Sequence, residues 1–178
     1  MRAINGIDWT HRAEGRPRAA ARRLPAGYAP GVRLALPQPH EDLGHTADVG
    51  VRVRGATAEE ALARLALALG TLLGGGDAPR PEREERVSVA GAEGSAGLAP
   101  VAVALLRELL FRFATERLFP AAVEVHRADA GGAEATVGFA RWDRERHAEG
   151  VDVKAVTWHA ARLEPEGGGW IGQVVMDI

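Results

Sequence analysis

The sequence predicts an α+β domain in which two helices pack on a mostly antiparallel or mixed β-sheet. Three observations carry that prediction. Two leucine-rich stretches repeat at helical spacing, and six shorter runs are rich in alternating or β-branched residues. The order is strand, helix, strand, helix and then four strands, the later ones separated by turns such as Ala130-Gly131-Gly132 and Pro165-Glu166-Gly167-Gly168-Gly169. No internal repeat is visible.

The elements follow in order. Val49, Val51 and Val53 alternate with Gly50, Arg52 and Arg54, as in a half-buried strand. Thr57 is then an N-cap, with Glu60 three residues on completing a capping box. Leu62, Leu65, Leu69 and Leu72 form one apolar stripe, and Gly74-Gly75-Gly76 stops the helix. Arg86–Ala90 reads as a short strand. A second helix starts near Pro100, a residue suited to the first helical turn, and carries Val101, Leu105, Leu106, Leu109, Leu110 and Phe113. Its apolar content predicts that it is the central helix. The strand runs that follow are Ala121–Arg127, Glu134–Arg141, Val151–Leu163 and Trp170–Ile178.

A chain of 178 residues with 46% apolar residues suffices for one domain with a substantial core. The absence of cysteine excludes disulfides, thiolate nucleophiles and Cys-ligated zinc. No apolar run reaches the roughly 18 residues of a membrane span, and no signal-peptide core is seen near the N-terminus, so a cytoplasmic location away from membranes is expected. Residues 1–30 carry a net charge of +4 against −6 for the remainder. With Pro17, Pro25 and Pro30, this makes residues 1–37 an expected basic, disordered extension capable of weak RNA contact, and residues 38–178 the folded domain.

The chemistry concentrates at two separated places. His45-Thr46-Ala47-Asp48 sets an imidazole, a hydroxyl and a carboxylate at the mouth of the first strand, and Met176-Asp177-Ile178 sets a side-chain carboxylate beside a terminal one. If these segments meet, three carboxylates call for a hard divalent cation held through oxygen. His45 is also suited to fixing the turn ahead of the strand. Lys154 is the only lysine against 21 arginines, which suggests a site needing a compact ammonium rather than a planar guanidinium. His159 falls on the more apolar face of its run, as expected of a hydrogen-bonded core histidine, whereas His147 lies in a polar connection and is expected to be exposed. Phosphate loops, dinucleotide fingerprints and Gly-x-Ser-x-Gly elbows are absent, and the only serines are Ser88 and Ser95.

Several of these segments together resemble the archease family. They are His45-Thr46-Ala47-Asp48-Val49-Gly50-Val51-Arg52, Leu109-Leu110-Phe111, Arg146-His147, Val153-Lys154-Ala155-Val156-Thr157-Trp158-His159 and Met176-Asp177-Ile178, in the family's order from about His40 onward. The resemblance implies an archease-like fold and a non-catalytic activator of an RtcB-type RNA ligase in tRNA splicing or RNA repair. Such an activator promotes ligase guanylylation and multiple turnover. It further implies one divalent ion, Ca²⁺, Mg²⁺ or Mn²⁺, on Asp48, Asp177 and the terminal carboxylate of Ile178, with His45, Lys154 and His159 as supporting or partner-contact residues. Gly44 stands where the family commonly has an acidic residue, and Trp158 where it has a tyrosine. The alternative is a metal-dependent hydrolase or nucleic-acid-processing enzyme in its own right, with His45 as its base.

Overall fold

The computed structural model describes residues 31–44, 48–75, 78–92, 94, 97–145, 147 and 150–178. Two short strands, β1 (Leu34–Ala35) and β2 (Glu41–Asp42), precede β3 (Asp48–Gly55), helix α1 (Ala58–Leu73), β4 (Arg83–Ala90) and helix α2 (Ala99–Glu116). The chain continues through β5 (Leu118–Asp129), β6 (Gly132–Arg141), β7 (Ala155–Val156), β8 (Arg162–Glu166) and β9 (Gly169–Asp177). The predicted α+β class holds, with one refinement. The strands form two antiparallel sheets: one in the order β1-β5-β6-β4, the other β2-β3-β9-β7 with β8 also on β9.

Local chemistry explains α1. The Thr57 hydroxyl accepts from the Glu60 amide at 3.2 Å, and the Glu60 carboxylate reaches back to the Ala56 amide at 2.7 Å. Two otherwise orphaned N–H groups at the helix start are thereby satisfied. The helix then packs against β5 of one sheet, β3 and β9 of the other, and α2. Such surroundings demand apolar or small residues all round. Ala58, Ala61, Ala63, Ala66, Ala68 and Gly70 are buried along with every leucine of the helix but the half-buried Leu72. Gly70 is required there, because a Cβ would lie 2.1 Å from the Pro120 carbonyl oxygen of β5. The central helix is therefore α1, not α2. The polar positions Arg107, Glu108 and Arg112 of α2 mark the flank that the core leaves uncovered.

Two further expectations change. The run Val151–Leu163 is not one strand: only Ala155–Val156 and Arg162–Glu166 pair with β9, separated by a turn in which Ala160 has a φ of 51°. The folded body also begins earlier than residue 38. Leu34 and Ala35 pair with Val123 and Ala122, the Leu36 amide donates to the Ala121 carbonyl at 3.0 Å, and Arg33 forms an ion pair with Glu84. The β1 pairing was not legible in a two-residue element. Residues 1–30 of the expected extension lie outside the described residues.

Among the described residues, no helix is long and apolar enough to cross a membrane.

Candidate metal centre

The centre is built by strand register. β3 begins at Asp48 and β9 ends at Asp177, and the antiparallel pairing of these strands places the two aspartates directly opposite one another. The same register runs Val49↔Met176, Val51↔Val174 and Val53↔Gly172. Val51, Val53, Val174 and Met176 are buried on the α1 side, where a Cβ at Gly172 would meet Leu65. Alternation along each strand therefore turns Asp48 and Asp177 to the other face, with Arg52 and Gln173 further along it, where Arg52 Nε donates to Gln173 Oε1 at 3.0 Å. Asp48 is half-buried, and Asp177 and Ile178 are exposed. The apolar alternation that holds β3 and β9 in the core thus delivers two carboxylates to one rim of the sheet.

A third segment closes the rim from the other side of β9. Ala155 pairs with Asp177, and the Lys154 amide donates to the Asp177 carbonyl at 2.8 Å. Just upstream, the Val151 amide donates to the Leu72 carbonyl at the end of α1, at 2.9 Å, and Val153 and Val156 are buried. These anchors hold Lys154 beside the last two residues although its own side chain is exposed. Lys154 makes no ion pair among the described residues, whereas Arg52, Arg54, Arg64 and Arg112 each face a carboxylate.

The histidines fall differently. His45, with Thr46 and Ala47, lies outside the described residues. His159 is exposed rather than a core residue. The neighbouring Ala160 carbonyl accepts from Gln173 Nε2 at 3.0 Å, which ties this turn to a point four residues, about 13 Å at strand rise, up β9 from Asp177. His147, expected in solvent, is half-buried: its ring meets Phe119 edge-on with centroids 5.5 Å apart, and its Nδ1 accepts from the Asp143 amide at 3.0 Å. Phe119 is wholly buried at the start of β5, so this contact fastens the connection after β6 to the core.

One feature near the rim escaped the sequence reasoning. Arg107 of α2 donates from Nε to the Val156 carbonyl at 2.9 Å, and its guanidinium lies 5.1 Å from the ring centroid of Trp158. It thereby braces the segment that carries Lys154. The available signal was the charged pair Arg107 and Glu108 between Leu106 and Leu109.

Two carboxylates directly opposite on a strand pair repel, and like-charge pairs at such positions destabilise a sheet. An oxygen-only donor set suits a hard cation and does not suit metals that prefer thiolate or imidazole. The residues present therefore fit the implied ion in charge and donor chemistry. Among the described residues, no three His, Asp or Glu side chains cluster, and Asp48 and Asp177 are the two carboxylates that the β3–β9 register brings together.

A small α+β protein with two antiparallel sheets and a carboxylate-bearing rim is the class that fold and site define. Residues 40–178 match the model of the Archease protein family. The archeases of Methanopyrus kandleri and Pyrococcus furiosus are each 32% identical over 143 residues, covering 79% and 78% of this chain and 99% and 97% of theirs. The solution structure of Methanobacterium thermoautotrophicum protein 1598 aligns with a TM-score of 0.59 at 26% identity, covering 78% of this chain and 98% of that one. The crystal structure of an archease from Thermotoga maritima, 21% identical, shares the fold with a TM-score of 0.53, covering 79% of this chain and 98% of that one. The chain belongs to the archease family.

Proposed function

We propose that this protein is a metal-dependent, non-catalytic activator of an RtcB-type RNA ligase, acting in tRNA splicing or RNA repair by promoting ligase guanylylation and repeated turnover. The observation that carries the proposal is the register pairing of Asp48 with Asp177 beside Lys154. Asp48, Asp177 and a backbone carboxylate at Ile178 hold one divalent ion, Ca²⁺, Mg²⁺ or Mn²⁺. That ion supplies a positive centre for phosphate or carboxylate oxygens of the partner. Lys154 adds a mobile ammonium at the same rim, suited to charge that shifts during phosphoryl transfer. His45, three residues before Asp48 in the sequence, serves as a supporting or partner-contact residue. Family membership supports the reading, since the resemblance in these segments carries the same activity.

The rim is built to be presented to another molecule rather than to enclose a substrate. Asp177, Ile178 and Lys154 are all exposed, and the carboxylates sit at the end of a sheet.

The test is ligase guanylylation followed with labelled GTP, with and without this protein and with divalent ion added or chelated. The expected result is a metal-dependent rise in rate that Asp48→Asn abolishes and Lys154→Arg reduces while folding is preserved. RNA cleavage or joining by this chain alone, lost in Asp48→Asn, would instead support the metal-dependent enzyme reading.

A further inference from the structure

Among the described residues, the exposed aromatic side chains lie on α2 and just after β7, next to the candidate metal rim. Trp158 and Phe111 are each 52% exposed, whereas Phe119 and Phe139 are wholly buried. Arg107 touches one of these rings and shares a helix with the other. Its guanidinium lies over Trp158 at 5.1 Å from the centroid, and Phe111 follows it by four residues on the same face of α2. Arg107 has no carboxylate partner among the described residues, and neither does Lys154, which stands two residues before the Val156 carbonyl that Arg107 holds. Two exposed rings and two cations without a carboxylate partner among the described residues therefore lie along one path, from α2 across β7 to Asp177.

We infer that the Trp158–Arg107–Phe111 ledge is the docking surface for the ligase of the proposed function, whose matching face presents an apolar pocket ringed by carboxylates. The inference rests on that function for the partner's identity and on charge complementarity for its chemistry. Tryptophan and arginine are the residue types that dominate binding energy at protein interfaces when a partner excludes water around them. An Arg already stacked on Trp is fixed in place before binding, which lowers the entropy cost of ordering it. A single-stranded RNA fits less well. Arg107 already covers one face of Trp158, and the ledge carries two cations rather than a continuous basic groove.

The experiment measures the affinity of the full chain for the purified ligase by biolayer interferometry, for unaltered protein, Trp158→Ala, Phe111→Ala and Arg107→Lys. Arg107→Lys keeps the charge, and Trp158→Ala and Phe111→Ala leave the Arg107 to Val156 hydrogen bond in place. Trp158→Ala is expected to weaken ligase binding about thirtyfold. Calcium binding by calorimetry should stay unchanged, and the maximal guanylylation rate should return at saturating variant. A merely structural role for Trp158 would not restore that maximum. Equal affinity of Trp158→Ala and unaltered protein overturns the ledge and leaves the proposed function standing. Binding of a single-stranded RNA oligonucleotide by this chain alone, lost in Trp158→Ala, overturns it in favour of RNA. Unaltered protein that neither binds nor activates the ligase overturns the proposed function and the assigned occupant together.

Discussion

Replacing Asp48 with asparagine should reverse the sign of a stability difference according to whether metal is present. In chelated buffer Asp48 and Asp177 stand opposite each other on β3 and β9, where two like charges repel. Relieving one like-charge cross-strand pair is worth about 0.2–1 kcal/mol, and the solvent exposure of Asp177 holds it in the lower half of that range. The metal-free variant is therefore slightly more stable than the unaltered chain. With divalent ion at a hundred times its dissociation constant, the unaltered chain gains about 2.7 kcal/mol by mass action. At roughly 2–4 °C per kcal/mol for a chain of this size, the melting temperature rises by about 5–11 °C. The substituted asparagine keeps the shape but supplies only a neutral oxygen, so most of that rise disappears. Thermal unfolding by circular dichroism at low salt, with EDTA or with calcium, reads both differences. An EDTA-treated variant less stable than the parent, or an equal calcium shift in both, would refute the paired-carboxylate account.

Three further outcomes follow from the geometry. Gly70→Ala forces a Cβ to 2.1 Å from the Pro120 backbone oxygen, so urea unfolding should show a loss of roughly 3 kcal/mol, at the upper end of overpacking costs. A short extension fused to Ile178 turns its backbone carboxylate into an amide, and the calcium-induced rise in melting temperature should shrink while the far-ultraviolet spectrum is unchanged. Asp129 is held below the usual carboxylate range by the hydrogen bond from Arg127, supported by the amides of Gly131 and Gly132. Its folded pKa lies under its unfolded one, so its stabilisation of the β5–β6 hairpin is present above the unfolded value and is lost as pH falls through the folded one. Asp129→Asn should therefore lower the neutral plateau of a stability–pH curve by the same small amount by which it flattens the acid limb, small because Asp129 is exposed to solvent.

The parts of the fold legible in the sequence were those where local chemistry and burial agree. The Thr57–Glu60 box, the leucine stripe and the β5–β6 turn each state their element within a few residues. What failed was ranking by hydrophobicity. α1 is central because alanines and Gly70 let strands of both sheets approach, and small residues contribute little to an apolar tally while permitting the closest packing. β7 and β8 were merged because both lean on β9 and are separated by a turn without proline or glycine, its reversal carried by Ala160 at φ 51°. His147 was assigned to solvent from its polar neighbours, yet the burying contact comes from Phe119, 28 positions earlier in the sequence.

The rim illustrates why composition could suggest the site but only topology can assemble it. Asp48 and Asp177 are 129 positions apart in sequence, and nothing local to either says which strand its own will adjoin. The β3–β9 pairing supplies that, and its register is fixed by the buried Val51, Val53, Val174 and Met176 on the opposite face. A slip of one residue would turn those side chains out of the core and the aspartates into it, two errors that burial forbids together. The repulsion between the carboxylates is consequently held in place by hydrophobic packing several residues away. A sheet end can carry this electrostatic cost because its core is secured elsewhere, and relieving the cost then becomes the driving force for binding a cation. On this account, shortening buried side chains next to the rim should weaken metal binding without touching a ligand. Val51→Ala should lower calcium affinity by loosening the register while Asp48 and Asp177 remain intact, and an unchanged affinity in a correspondingly destabilised Val51→Ala protein would show that the two aspartates do not depend on strand register for their pairing.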